Sequence, residues 1–363
     1  MIPGLGTIGC RKLLAAYPDE DIFALPAREL ALAFGAHRQP LEAILHKSTH
    51  ARAEEELRWC EKQGVKVLFC SDSDFPQRLN REETADCPVV LYVLGDADLN
   101  SRRVLAVVGT RKATLQGRDN TSQVVAGLQP LGVTVVSGLA YGIDKAAHQA
   151  ALDNGMPTVG VLGHGLDRIY PPEHRQLASD ILSHGGALVS EYPSGTGVNP
   201  HHFPARNRII AALADATVVV EAARKGGALI TATIATGYQR EVFAVPGRLS
   251  DTYSVGTNAL IATSKAQLVR GADDVAYQMG WPLPKQGISS GVQQQLFPTL
   301  SDEAQRLVDI LYEQGDMGMD QLMLQSCLSM PKVASLLFEL ETAGLVRPLP
   351  GSMYQAVARI AQR

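Results

Sequence analysis

Between Val104 and Val245 the chain alternates short apolar, β-branched runs with longer helical stretches. The runs are Val104–Val108, Val133–Val136, Thr158–Leu162, Ala187–Val189, Thr217–Val220 and Val242–Val245. Apolar runs this short, without polar alternation, mark strands buried on both faces of a parallel sheet. Their alternation with helices predicts a Rossmann-like, doubly wound, mostly parallel α/β domain. Right-handed crossovers then gather the loops that follow the strands along one edge, where ligands of such sheets bind.

Outside this block the pattern changes. Residues 1–64 read as helical, with apolar positions at Leu13, Leu14, Leu30, Leu32, Leu41 and Leu45. Their opening, Ile2-Pro3-Gly4-Leu5-Gly6 before Arg11-Lys12-Leu13-Leu14, looks like the hairpin and second helix of a helix-hairpin-helix element. Glycines there would let backbone amides approach a phosphate. The first helix of such an element is missing, so the N-terminus reads as truncated and its remainder as mostly structural. Val65–Phe69 and Val89–Val93 are two strand-like runs leading into the main domain. Residues 282–300, with Pro282, Pro284, Gly287 and Gln293–Gln295, form a linker too poor in apolar residues to fold alone. Beyond it, Ser301 is an N-cap for a helix to Gln314, with Asp302 and Glu303 in its first turn. Helices Met319–Cys327 and Pro331–Ala343 follow, then a hairpin of Leu345–Arg347 and Met353–Ala356 turned at Leu349-Pro350-Gly351-Ser352. That is the layout of a winged helix. The organisation read from the chain is therefore a small helical domain (1–64), a Rossmann-like domain (65–281), a linker (282–300) and a winged-helix domain (301–363).

Composition bounds the class. The 363 residues are 45% hydrophobic and 19% charged, enough for a sizeable core, but only 6% aromatic, so that core is built from Ala, Val, Leu and Ile. The five cysteines, Cys10, Cys60, Cys70, Cys87 and Cys327, are scattered and odd in number, as expected of reduced thiols in a cytoplasmic protein. No clustered Cys or His ligands call for a metal, and no motif calls for a cofactor. No segment approaches the ~20 apolar residues of a membrane span, and the N-terminus lacks signal-peptide order.

The net charge of −4 does not announce a nucleic-acid binder. Its distribution says more. Arg102, Arg103, Arg111, Lys112 and Arg118 face one acid, Asp119, between 101 and 120. Arg206, Arg208, Arg224, Lys225, Arg240 and Arg248 face Asp215, Glu221 and Glu241 between 200 and 248. A basic cleft on an acidic body can bind a polyanion.

The loops that follow the strands carry the candidate chemistry. After the first run comes Gly109-Thr110-Arg111-Lys112: a close backbone approach, a hydroxyl and a bidentate phosphate clamp, without GxGxxG. Ser137-Gly138-Leu139-Ala140-Tyr141-Gly142-Ile143-Asp144 leads small residues into a helix N-terminus, a ready anion site. Phe203-Pro204-Ala205-Arg206-Asn207-Arg208 sets two arginines beside an aromatic that is either core or a base-stacking platform. Lys225-Gly226-Gly227 opens a further helix toward the same edge.

Together, VVGTRKAT (107–114), SGLAYGID (137–144) with His148, VLGHGLDRIYPPEH (161–174), SEYPSG (190–195), FPARNRIIAALA (203–214), VVEAARKGGALITA (219–232), FAVPGRLSD (243–251) and GTNALI (256–261) resemble the DprA/Smf family of DNA-processing proteins. The resemblance runs from about Asp74 to Ala276 and extends to the helical start and winged-helix tail. It implies a single-stranded DNA-binding homodimer that protects incoming strands and helps load RecA recombinase in natural transformation. It assigns DNA contact to Arg111 and Phe203, and places the dimer interface near Leu260, Ile261 and Leu268. Some relatives carry a lysine where this chain has Pro200, leaving Lys225 or Arg206 to compensate; His201 and His202 would add charge there only when protonated.

The reading is non-catalytic. Arg111, Arg206, Arg208 and Lys225 neutralise phosphates, amides of the glycine loops hydrogen-bond them, and Phe203 stacks a base. Ser137, Asp144, His148 and Glu191 suggest a triad, yet GxSxG and the P-loop are both missing. The enzymatic alternative is a phosphoribohydrolase of the lysine-decarboxylase-like group, whose PGGxGTxxE loop would fall at Arg224–Ala232; its terminal glutamate is absent. Glu221 reads as a loop organiser, Asp144 and Asn207 as braces, and Tyr170 as packing. The third tail helix carries only Lys332 against Glu339 and Glu341, so it favours a protein contact or a weak accessory DNA role over duplex readout.

Overall fold

Buried valines dictate the centre of the molecule. All five residues of β3 (Val104–Val108) are buried, because one helical layer covers Leu105 and Val107 while another covers Ala106 and Val108. Each fully buried Val or Leu of this kind stabilises the fold by about 1.5–3 kcal/mol. The computed structural model describes residues 4–18, 21–26, 49–281, 301–315, 317–342, 345–349 and 353–356, with Ile2, Arg28, Glu29, Pro40, Glu42, Ile44 and His46. Two compact units result, Met1–Lys285 and Gln286–Arg363.

In the larger unit, nine strands of the described residues form one sheet. Besides β3 these are β1 (Lys66–Phe69), β2 (Val90–Gly95), β4 (Thr134–Ser137), β5 (Thr158–Leu162), β6 (Ala187–Ser190), β7 (Ala216–Val219), β8 (Glu241–Ala244) and β9 (Gln267–Leu268). Their order is β1-β2-β6-β5-β4-β3-β7-β8-β9. Pairing is parallel from β6 to β9, whereas β2 runs antiparallel to β6 and β1 to β2. The segment expected to lead into the domain thus supplies one edge of its sheet.

Helices cover both faces. On one side α3 (Leu115–Gly127), α4 (Ile143–Asp153) and α9 (Ala272–Gln278) pack on Leu105, Val107, Val135 and Val218. On the other, α6 (His202–Leu213) and α7 (Gly227–Gly237) pack on Ala106, Val108 and Val219, using Ala211, Ala228, Ala232 and Ala235. Small side chains let α6 and α7 approach the sheet closely, as the aromatic-poor composition implied. Helix α5 (Arg175–Ser183) and Cys60 of α2 (His50–Gln63) cover Tyr92, Leu162 and Leu188. After β8, the chain forms α8 (Val255–Ala262).

The N-terminal helix α1 (Thr7–Ala16) uses its arginine structurally. Arg11 donates to the Leu79 carbonyl at 2.9 Å, the Cys87 carbonyl at 3.3 Å and Asn80 Oδ1 at 2.7 Å. The Arg11 guanidinium is thereby turned onto the segment that precedes β2. Leu30, Leu32, Leu41, Leu45, the 282–300 linker and the Pro350-Gly351-Ser352 turn lie outside the described residues.

Helix α4 buries a histidine completely: His148 is 0% exposed, with Nδ1 2.7 Å from Thr158 Oγ1. Thr158 spends its own proton on the Val135 carbonyl at 3.0 Å, so Nδ1–H of His148 donates. Burial first, then His174 and Arg206, lower its pKa from 6.5 to about 3. The unfolded chain therefore takes up this proton near pH 6.5 and the folded one only near 3. Stability attributable to His148 is whole above that window and falls as pH drops through it, by roughly 1.4 kcal/mol per unit. Urea midpoints at pH 7 and pH 5 should diverge more in the wild type than in His148→Asn; equal divergence would locate the acid sensitivity elsewhere.

The smaller unit comprises α10 (Asp302–Gln314), β10 (Met317–Gly318), α11 (Met319–Ser326), α12 (Met330–Thr342), β11 (Val346–Leu349) and β12 (Met353–Ala356). Ser301 Oγ accepts from the Ala304 amide at 3.3 Å, the expected N-cap. The strands pair antiparallel in the order β10-β12-β11 around Leu307, Leu311, Leu322, Leu336 and Leu340. Only β10 escapes the sequence pattern, being two residues long. Three helices with a three-stranded wing make a winged helix.

Candidate nucleic-acid interface

Strands β3 and β7 are neighbours, yet the chain leaves them in opposite directions, β3 toward α3 on one face and β7 toward α7 on the other. A crevice opens at such a switch point, outside the carboxyl ends of the strands. Here it is a cavity of about 530 Å³ lined by Gly109, Thr110, Arg111, Tyr170, Pro200, Phe203, Lys225, Gly226 and Gly227, among others.

The three loop motifs are braced from behind. Glu221, at the end of β7, accepts from the Thr114 amide at 2.9 Å and from Thr114 Oγ1 at 2.5 Å. Thr114 in turn caps α3 through the Gly117 amide at 3.0 Å. The carboxylate thereby holds the Gly109–Thr114 loop in place, the organising role expected of it. Gly142 turns with φ +78°, and a Cβ there would lie 2.1 Å from the Thr110 carbonyl oxygen, so no other residue fits. Asn207 Nδ2 donates to the Gly227 carbonyl at 3.4 Å and steadies the start of α7.

Arg111 and Lys225 line the crevice; they and Lys112 are exposed and make no ion pair among the described residues. The Arg111 guanidinium lies over the Phe203 ring, 5.4 Å from its centroid. Helix α7 begins at Gly227 behind Gly226, with no side-chain cap among the described residues, and Gly226, Gly227 and Ala228 line the crevice at that helix start.

Other expected ligands lie behind this surface. Ser137 Oγ is buried and donates to the Val107 carbonyl at 2.7 Å. Gly138 is filled in by its neighbours: a Cβ would lie 1.9 Å from Arg206 Nη1 and 2.7 Å from Asp144 Oδ2. Arg206 is 3% exposed and donates to the Val161 carbonyl at 2.6 Å. Burial lowers its pKa to about 10, against the opposing pull of Asp144, so it stays charged at neutral pH. Burial likewise raises Asp144, against the pull of Arg206. Arg208 pairs with Glu191, both side chains mostly buried. Arg206 and Arg208 therefore depart from the expectation that they neutralise phosphates; each is engaged inside the protein. The anion site expected at the start of α4 is also filled, since the Ile143 amide donates to the Thr110 carbonyl at 3.2 Å and Asp144 occupies the first turn.

Ser137, His148 and Glu191 do not converge, because each bonds a different partner: Val107, Thr158 and Arg208. Leu260, expected at an interface, is buried in its own core, while Ile261 is half-buried and Leu268 on edge strand β9 is exposed. His202 stacks on Tyr192 at 4.2 Å and is turned to that contact; His201 is exposed. In α12, Lys332 pairs with Glu303 at 2.9 Å, leaving that helix no free cation of its own.

Two contributors were missed by sequence reasoning. Tyr170, read as packing, lines the crevice with its ring 5.8 Å from Phe203. Glu56 of α2, 2% exposed, accepts from the Ser194 amide at 2.7 Å, Ser194 Oγ at 2.6 Å and Arg52 Nη2 at 2.7 Å. It latches the loop that delivers α6 and Phe203, a pairing across 138 positions that no local pattern reveals. Glu56→Ala should cost about 1–3 kcal/mol through the buried donors it strands and open residues 191–200 to limited proteolysis. Unchanged cleavage would show that the loop holds itself.

The DNA recombination-mediator protein A family model matches residues 66–280, and the DprA winged helix domain model matches 293–352. Protein Smf of Escherichia coli K12 is 36% identical over 308 residues, covering 82% of this chain and 79% of its own. DNA processing protein A of Streptococcus pneumoniae superimposes with a TM-score of 0.67 at 35% identity, covering 76% of this chain and 94% of its own. The Helicobacter pylori DNA processing protein A, whose structure concerns a single-stranded DNA binding mode, gives a TM-score of 0.53 at 29% identity over 59% of this chain and 95% of its own. With a braced glycine loop, free cations and the family match over most of the sheet, the chain belongs to the DNA recombination-mediator protein A family.

Proposed function

We propose that the crevice binds single-stranded DNA without cutting or converting it. The observation that carries this is the convergence of Arg111, Lys225 and the uncapped N-terminus of α7 on the crevice lined by Phe203, with Lys112 exposed next to Arg111 in the chain. Cations and amides answer phosphates at any sequence, and an aromatic face accepts any base. A base can reach Phe203 only when it is out of a duplex stack, which sets the preference for single strands. The single-strand binding mode of the Helicobacter pylori relative supports the same reading. With Arg206 buried, Lys225 is the cation that takes over where Pro200 replaces a lysine.

A nucleotide-cleaving alternative needs a free carboxylate at the crevice. Of the described lining residues, Asp144 is the one acid, and it lies against Gly138 and Arg206. The same reading makes RecA recombinase the protein partner, a homodimer the working form and protection of incoming strands in natural transformation the task, in the cytoplasm. No helix among the described residues is long and apolar enough to cross a membrane.

Fluorescence anisotropy with a labelled oligothymidylate and with a duplex of equal length tests the reading. Tighter binding of the single strand is expected. Duplex preference, or release of free base from a nucleoside monophosphate without strand binding, would overturn it.

A further inference from the structure

We propose that the strand path continues past Phe203 onto Tyr170 and Tyr141, each stacking a further base. This rests on the single-strand reading of the crevice and extends it from one stacked base to a short run. Tyr141, Tyr170 and Pro171, with Arg111 and Phe203, line a small recess of about 30 Å³ that shares Arg111 and Phe203 with the crevice. The Tyr170 and Phe203 rings lie 5.8 Å apart and tilted by 34°, so they form one bent apolar wall rather than a sandwich around a single base. Tyr170 is 41% exposed and Tyr141 42% exposed.

Tyr141 is held in place. Its hydroxyl donates to Glu173 at 2.7 Å and its ring meets His174 edge-on at 5.0 Å. The chain turns sharply around it, with Leu139 at φ +55° and Gly142 at φ +78°. Charge assigns what this wall takes. Glu173 beside Tyr141 repels phosphate, whereas Arg111 and Lys225 attract it on the crevice side. Uncharged base faces therefore suit the tyrosines, and the sugar–phosphate backbone keeps to the cations.

The wild-type chain, irradiated with oligothymidylates carrying 5-iodouracil at successive positions, should form adducts on Phe203, Tyr170 and Tyr141 at different positions along the strand. Tyr170→Leu and Tyr141→Ala should each weaken binding of a long oligonucleotide by between about 5-fold and 150-fold, the range for one stacked base. The salt dependence should not change, because no charge is removed. Tyr→Phe replacements should restore affinity, and an abasic residue at the facing position should abolish the difference. Adducts on Phe203 alone, with tyrosine variants binding as wild type while Arg111→Ala fails, would overturn this extension and leave the crevice reading standing. A wild-type chain that captures no strand would overturn both.

Discussion

Arg111→Ala is expected to weaken single-strand binding by about 10- to 150-fold, the worth of one charge-assisted hydrogen bond of about 1.5–3 kcal/mol. Arg111 is exposed, has no carboxylate partner among the described residues and hangs over Phe203 at 5.4 Å, so the substitution removes a surface cation without opening the core. Thermal stability should therefore change by less than about 0.5 kcal/mol. The slope of log affinity against log salt should fall by about 0.7, the value for one phosphate contact on a single strand. Arg111→Lys should restore the slope but not the full affinity, because an ammonium neither forks onto a phosphate nor stacks on a ring as a guanidinium does. Wild-type affinity in a folded Arg111→Ala protein would remove this residue from the interface.

Arg206→Met should act in the opposite manner, on the fold rather than on the ligand. The guanidinium lies against Gly138, near Asp144, in the interior. Taking it away strands the buried Val161 carbonyl and removes the charge that offsets buried Asp144, at a cost of about 1–3 kcal/mol. Urea denaturation should report that loss, and the fraction that remains folded should bind single strands with the wild-type salt slope. Adding Asp144→Asn should recover part of the stability, since the stranded charge is then gone. An Arg206→Met protein of full stability and reduced salt slope would restore Arg206 as a phosphate ligand.

That contrast shows where the sequence was legible. Arg111 and Arg206 both stand in basic, glycine- or proline-marked motifs, and nothing local separates them. What separates them is that Arg206 lies in the first turns of α6, beneath the loop at Gly138, so its partner comes from a different βα unit. Burial of a charge depends on such long-range pairing, which one motif does not encode. Strands were easier: β3 and β5 coincide with their apolar runs, because parallel strands covered on both faces need continuous apolar residues. Strand β9 escaped because both of its residues are exposed and polarity says nothing of its pairing. The attachment of β1 and β2 to β6 was hidden for the same reason: antiparallel pairing with a distant strand leaves no trace in either run. Tyr170 and Glu56 belong with Arg206, since their roles are set by what other segments bring beside them.

The most direct test of the crevice as a single-strand site is the affinity of the intact chain for an oligothymidylate across a salt series, for wild type, Lys225→Ala and Phe203→Ala. Wild-type affinity should fall linearly, Lys225→Ala should give a slope smaller by about 0.7, and Phe203→Ala a parallel line displaced by about 1–3 kcal/mol. Salt-independent binding, or three superimposable lines, would contradict it.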